Sequence, residues 1–186
     1  LEFRHDGTKN IPGSTTKIRV AEMKRPRILP RVLLALLVGT LLVGSPASSA
    51  DFQKGLDAYK KGRYAAALKE WKPLAEKGNA RAQHNLGQMY KRGVGVKRNY
   101  STAVTWFTRA AEQGYGIAQV DLGLMYVMGQ GTLRNNIRAH MWWNIAASRG
   151  DRMAGRNRDA VAKKMTKKQL GIARKLAREW LGKHKK

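Results

Sequence analysis

Few side chains in this 186-residue chain are suited to catalysis, and their spacing does not bring them together. None of the histidines has a second histidine three or four residues away, and cysteine is absent, so the spacing typical of a zinc site does not occur. No serine stands in a Gly-x-Ser-x-Gly motif, and the carboxylates are scattered. The sequence therefore predicts no catalytic residue, no metal site and no cofactor. The four histidines are His5, His84, His140 and His184.

Positive charge is the chemical feature that stands out. The chain carries a formal net charge of +25, and residues 149–186 contain 14 basic residues against three acidic ones. Such a segment predicts weak contact with polyanions, which could be anionic lipid headgroups, acidic polysaccharide or nucleic acid without sequence-specific recognition. A solvated surface without a ligand is the alternative interpretation. The predicted polyanion patch consists of Lys163, Lys164, Lys167 and Lys168.

The elements that position these residues follow from an internal repeat. When the sequence is shifted by 36 residues, small and aromatic residues coincide. A fixed period of this length is typical of stacked supersecondary units, and apolar residues at helical spacing predict two antiparallel helices in each unit. The predicted fold class is therefore all-α, a right-handed α/α solenoid of antiparallel helix pairs with a C-terminal capping helix. Coinciding sets include Ala67, Ala103 and Ala139; Ala75, Ala111 and Ala147; and Gly78, Gly114 and Gly150.

The repeat also explains two features that resemble ligand-binding motifs. The glycine loops at 93–95 and 129–131 do not follow a predicted strand, as a phosphate loop does, so we interpret them as turns. The pair Trp142 and Trp143 coincides with an aromatic pair one period earlier. This equivalence favours core packing over a carbohydrate-binding platform.

The N-terminal part of the chain differs in character from the repeats. Residues 1–22 lack apolar periodicity and precede the first methionine, so we expect a non-native or mis-assigned extension. Residues 23–50 combine a basic start, a run of 12 residues at 32–43 that is apolar except for Gly39 and Thr40, and small residues before Asp51. This order predicts a cleaved signal peptide, with an uncleaved membrane anchor as the alternative; we favour the signal peptide because a membrane span needs about 20 apolar residues. The cleaved product would be periplasmic or secreted, with a net charge of +20.

The period divides the rest of the chain into units. The predicted segments are an N-terminal half-repeat helix at 51–63, repeats at 64–99 and 100–135, a degenerate repeat at 136–165, and a basic capping helix with its tail at 166–186. In the third unit Arg158-Asp159 replaces a Leu-Gly pair, so we expect this helix to face water on that side.

The motif of the second unit resembles the Sel-one-like repeat, which is related to the tetratricopeptide repeat. The resemblance lies in Ala-Val-Thr-Trp-Phe-Thr-Arg-Ala-Ala-Glu-Gln-Gly at 103–114, followed by Ala118, Leu122-Gly123, Tyr126 and the loop at 129–131. It implies an α/α solenoid and, in bacteria, exported or envelope-associated adaptors that bind other proteins. A cysteine-rich subgroup of this family is linked to penicillin binding, and the chain lacks those cysteines.

Stacked helical repeats usually bind partners on the surface that their first helices line. Side chains that flank the core positions there differ between copies, so we predict that they form a groove for another protein or peptide. We expect a monomeric, non-catalytic adaptor without specific nucleic-acid binding. A polyanion-binding surface module is the first alternative and a cell-wall-related hydrolase the second. The predicted groove residues are Lys69, Lys72, Thr105, Thr108, Met141 and Asn144.

Overall fold

The computed structural model describes residues 46–184, and this part of the chain forms eight α-helices and no strand. The predicted all-α class is confirmed. Residues 1–45, with the predicted extension and most of the predicted signal peptide, lie outside the described part. None of the helices within it is long and apolar enough to cross a membrane. The helices are α1 (Pro46–Lys60), α2 (Tyr64–Glu76), α3 (Ala80–Arg92), α4 (Tyr100–Glu112), α5 (Gly116–Met128), α6 (Asn136–Ser148), α7 (Arg152–Ala162) and α8 (Lys167–Lys183).

Local signals fix where these helices begin and end. The side chain of Asn99 accepts a hydrogen bond from the backbone N–H of Thr102 at 3.0 Å, which satisfies a donor that has no partner inside α4. Thr166 and Gln169 form a capping box at the start of α8. Gly114 follows α4 with a φ of +83°, a left-handed conformation that glycine adopts without strain.

Helices α1, α3 and α5 each pack against the helix that follows in the chain, which is the first helix of the next unit. Accordingly, α1 packs on α2, α3 on α4, and α5 on α6. At every such contact a glycine of the earlier helix faces an aromatic ring of the later one, and a Cβ on Gly87 would lie only 2.5 Å from Phe107. The glycine therefore leaves the space that the ring occupies. The three pairs are Gly55 with Trp71, Gly87 with Phe107, and Gly123 with Trp143.

A buried glutamine ties the second helix of a unit to the end of its first helix. Gln83 Nε2 donates a hydrogen bond to the carbonyl of Ala75 at 2.9 Å, and one period later Gln119 Nε2 donates to the carbonyl of Ala111 at 3.1 Å. The equivalent residue in the third unit is Gly155, which has no side chain to make this bond.

The last two helices close the C-terminal end in different ways. Helix α7 buries only Ala154 and Val161; at the side expected to face water, Asp159 is exposed, whereas Arg158 is half-buried. Helix α8 packs against α6 rather than on α7, where a further first helix would lie. As a result α6 is enclosed by α5, α7 and α8. The buried residues of α8 are Ala173, Ala177 and Trp180.

Candidate interaction surface

The predicted groove residues lie on α2, α4 and α6 in two files that repeat every 36 residues. In the third unit Asn144 Oδ1 accepts a hydrogen bond from Arg158 Nη1 of α7 at 3.3 Å. In this unit the row formed by positions 72, 108 and 144 therefore faces the second helix. The row formed by positions 69, 105 and 141 is the more accessible one. Lys69, Lys72 and Thr105 are exposed, whereas Thr108, Met141 and Asn144 are half-buried.

A third file on the same helices is covered in one unit. Trp142 is 3% exposed, and the ring of Trp180 of α8 packs edge-on against it at a centroid distance of 5.9 Å. Trp180 Nε1 also donates a hydrogen bond to Glu112 Oε2 at 2.9 Å. One period before Trp142, Trp106 is only half-buried. The first helices thus accommodate another helix, the chain's own α8. Because Trp142 is already covered by α8, we name residues 69–70, 105–106 and Met141 the first-helix surface.

The predicted polyanion patch lies in the turn between α7 and α8 and at the start of α8. All four of its lysines are exposed. Within residues 46–184 none of them has a carboxylate within 4.0 Å, whereas other basic residues such as Lys91 and Arg158 do. The charge of this patch is therefore directed at solvent.

Sequence reasoning missed a polar cluster that joins α3 to α5. His84 is 9% exposed, and its Nε2 lies 2.9 Å from Asp121 Oδ2. Gln88 Nε2 donates to the same oxygen at 2.7 Å, and Lys91 Nζ donates to Asp121 Oδ1 at 3.3 Å. Two signals indicate this cluster: the three α3 residues share one helix face, and Asp121 follows His84 by one period and one residue.

The cluster holds Asp121 as a carboxylate. Burial raises the pKa of Asp121, but the hydrogen bond from His84 and the charge of Lys91 outweigh this effect, so the pKa lies below its usual value. In the described part of the chain no third histidine or carboxylate joins His84 and Asp121, as a metal site would require. The cluster is therefore a contact between two repeats.

His140 is a second buried histidine with a different environment. It stands where Leu68 and Val104 stand in the earlier units and is 3% exposed. Its Nδ1 is buried without a hydrogen-bond partner among the described residues. Burial, followed by the charges of Arg158 and Arg174, lowers the pKa of His140 below its usual value of 6.5. The folded protein therefore favours the neutral imidazole.

Replacing His140 with leucine is expected to stabilise the protein by about 1 kcal/mol at neutral pH, because an unpaired polar atom leaves the core. The gain should grow as pH falls below 6.5, since the unfolded wild-type chain binds a proton there before the folded chain does. The negative charge of Asp159 raises the pKa of His140 and so makes this pH-dependent gain smaller. Urea unfolding at several pH values measures the effect. Parallel pH profiles of wild type and variant would contradict it.

Comparison with known proteins decides the family. The sequence profile of the Sel1 repeat matches residues 80–115 and 116–151, so each matched unit runs from a second helix through the next first helix. A Sel1 repeat protein from Oxalobacter formigenes is 30% identical, superposes with a TM-score of 0.57, and is covered over 88% of its length and 61% of this chain. This chain belongs to the Sel1 repeat family. The resemblance seen in the sequence is thereby confirmed.

A second Sel1-like relative is longer than this chain. The structure of c5321, a protective antigen present in uropathogenic Escherichia coli strains that displays an SLR fold, is 32% identical and superposes with a TM-score of 0.70. The match covers 74% of this chain and 30% of c5321. No curated protein matches this chain. Sel1 repeat proteins are generally non-catalytic scaffolds for protein–protein interaction, and their helical solenoid is the fold found here.

Proposed function

We propose that this Sel1 repeat protein is an exported, monomeric adaptor that binds a protein or peptide of the cell envelope on its first-helix surface. Export is supported by the order of residues 23–50: a basic start, a short apolar run and small residues before Asp51. Adaptor function is supported by the role of Sel1 repeats as interaction scaffolds. His84 and Asp121 are paired between two repeats and His140 is buried in the packing of α6, which supports a function without a catalytic step.

The packing of α8 on α6 is the observation that favours the first-helix surface as the binding site. The ring of Trp180 packs against Trp142, and its indole N–H donates a hydrogen bond to Glu112. The first helices therefore bind an amphipathic helix through one aromatic contact and one hydrogen bond. Trp106 offers an equivalent aromatic position on α4, flanked by the exposed Thr105. An apolar helix face with a central aromatic residue is therefore the partner that we expect on this surface.

The test is affinity capture of the full chain from native envelope, followed by crosslinking and identification of the captured partner. N-terminal sequencing of the same material reports export: a chain that begins at Asp51 supports it, and retained residues 23–50 contradict cleavage. With the purified partner, replacing Lys69, Thr105 and Trp106 with alanine should weaken binding at least tenfold, since an aromatic anchor contributes about 2 kcal/mol or more.

Two further variants determine where the partner binds. Alanine at Lys72, Thr108 and Asn144 tests the second predicted file and should have the smaller effect. Alanine at the exposed Ile117 and Met128 of α5 is the control, because these side chains lie on a second helix. Unchanged affinity in both first-helix variants, with folding verified by circular dichroism, would reject this surface. Hydrolysis of a wall fragment by the purified chain would favour the cell-wall-related hydrolase instead.

A further inference from the structure

The alternating direction of the helices sorts the turns onto two edges of the stack. The turns after α1, α3, α5 and α7 belong to one edge, and the turns after α2, α4 and α6 belong to the other. Contacts join the first set into a row. Gly95 packs against Tyr64, Gly131 packs against Tyr100, and Arg134 and Lys164 line the same cavity.

The two edges differ strongly in charge. Residues 60–64, 91–98, 133–138 and 163–168 form the first edge and contain 13 lysines and arginines and no acidic residue. We name these four segments the basic edge. Residues 76–81, 112–117 and 149–152 form the opposite edge, with four basic and three acidic residues. The lysines at 163–168, predicted as an isolated patch, are thus one end of a row that runs along every repeat.

The charge of the basic edge is available to a ligand. Of its 13 basic residues, all except Lys91 are exposed. Lys91 is also the one that pairs with a carboxylate within residues 46–184, at Asp121. Like charges brought together without neutralising partners do not stabilise the fold, and they attract anionic surfaces. The row of repeats therefore concentrates positive potential along one edge.

The kind of anion is indicated by the apolar residues of this edge. Leu133 lies next to Arg134 in the turn between α5 and α6 and is 89% exposed, the largest fraction among the large apolar side chains of the described part. Single-stranded nucleic acids need several exposed aromatic rings for stacking, and the basic edge exposes only Tyr64, at 37%. Basic residues beside an exposed leucine fit a surface that is anionic outside and apolar beneath.

We propose that the basic edge binds the surface of an anionic membrane, with Leu133 inserted between the lipid headgroups. Each lysine or arginine near such a surface strengthens binding about five-fold at low salt. The first-helix surface lies on the sides of the helices rather than on their turns, so the protein can hold a partner while its edge lies on the membrane. Membrane binding by the basic edge does not require a partner on the first-helix surface.

The test measures binding of the full chain to phosphatidylcholine vesicles with and without phosphatidylglycerol, at low and high salt. Residues 32–43 are the same in every variant, so their own affinity for lipid cancels in the comparison. An edge variant with four glutamines should lose roughly 100-fold or more of its affinity for the phosphatidylglycerol vesicles. Its substitutions are Lys61→Gln, Lys97→Gln, Lys163→Gln and Lys167→Gln.

A matched control removes the same charge elsewhere on the exposed surface, with the substitutions Lys77→Gln, Arg152→Gln, Arg156→Gln and Lys183→Gln. It should keep most of the affinity, and equal loss in both variants would overturn the proposal because net charge alone would then explain binding. Leu133→Ser should weaken vesicle binding several-fold and leave binding to heparin, a soluble polyanion, unchanged. If Leu133→Ser leaves vesicle affinity unchanged while the edge variant loses its affinity for heparin, the edge binds soluble polyanions and the membrane proposal fails.

Discussion

Replacing Gly87 with alanine is expected to lower the free energy of unfolding by about 1–3 kcal/mol, the usual cost of overpacking a core. The added Cβ would lie 2.5 Å from Cε1 of Phe107, and the Phe107 ring is fully buried, so it has no free space into which to move. Urea unfolding followed by circular dichroism measures the change. The same contact recurs between α5 and α6, so Gly123→Ala is expected to act in the same direction.

Two further variants separate the steric effect from helix propensity. Gly171→Ala on α8 meets no atom within 4 Å, so it should be neutral or stabilise the protein by about 0.5–1 kcal/mol. Combining Gly87→Ala with Phe107→Leu should cost less than the sum of the single changes, because the shorter side chain leaves room for the new methyl group. Additive effects would mean that Gly87 is not needed to leave space for the Phe107 ring.

Replacing Trp180 with alanine is expected to remove about 3–5 kcal/mol from the docking of α8, the usual effect of truncating a buried tryptophan. Trp180 is 6% exposed and makes the aromatic contact with Trp142 and the hydrogen bond to Glu112. Since α8 is the last helix, we expect local undocking rather than global unfolding. Hydrogen exchange should show lost protection in α8 and retained protection in α4 and α5.

Glu112→Gln is the milder counterpart of this variant. The amide keeps an oxygen that accepts the indole N–H of Trp180, so α8 should stay docked with at most a small loss of protection. If the Trp180→Ala variant keeps full protection in α8, the aromatic anchor is not what holds this helix, and the first-helix surface loses its main support as a site for helices.

The sequence was informative about the fold because the contacts of a solenoid recur at fixed separations. Gly87 faces Phe107 and Gly123 faces Trp143 across the same number of residues, so one pattern of small and aromatic residues predicts both contacts. Caps such as Asn99 and Thr166 act within three residues and can likewise be identified without a structure.

The candidate sites were harder to predict because their contacts do not recur from one repeat to the next. The bond between His84 and Asp121 joins second helices of consecutive units, and the bond between Trp180 and Glu112 joins residues 68 apart that share no period. Since α8 belongs to no repeat, nothing in the 36-residue pattern states which neighbour it packs on. On α6, its Trp180 packs against Trp142, a contact that lies outside the repeat pattern.

The sequence by itself determined the helices, their pairing and the order of the repeats, because these depend on local propensity and on contacts between neighbours in the chain. Only the tertiary structure decided the surfaces. It placed α8 on α6, with Trp180 against Trp142, and it aligned four basic turns that are far apart in the chain into one edge. Surfaces form where segments that are distant in the chain come together. Which segments come together depends on the direction of each helix, and composition and charge counts do not contain this information.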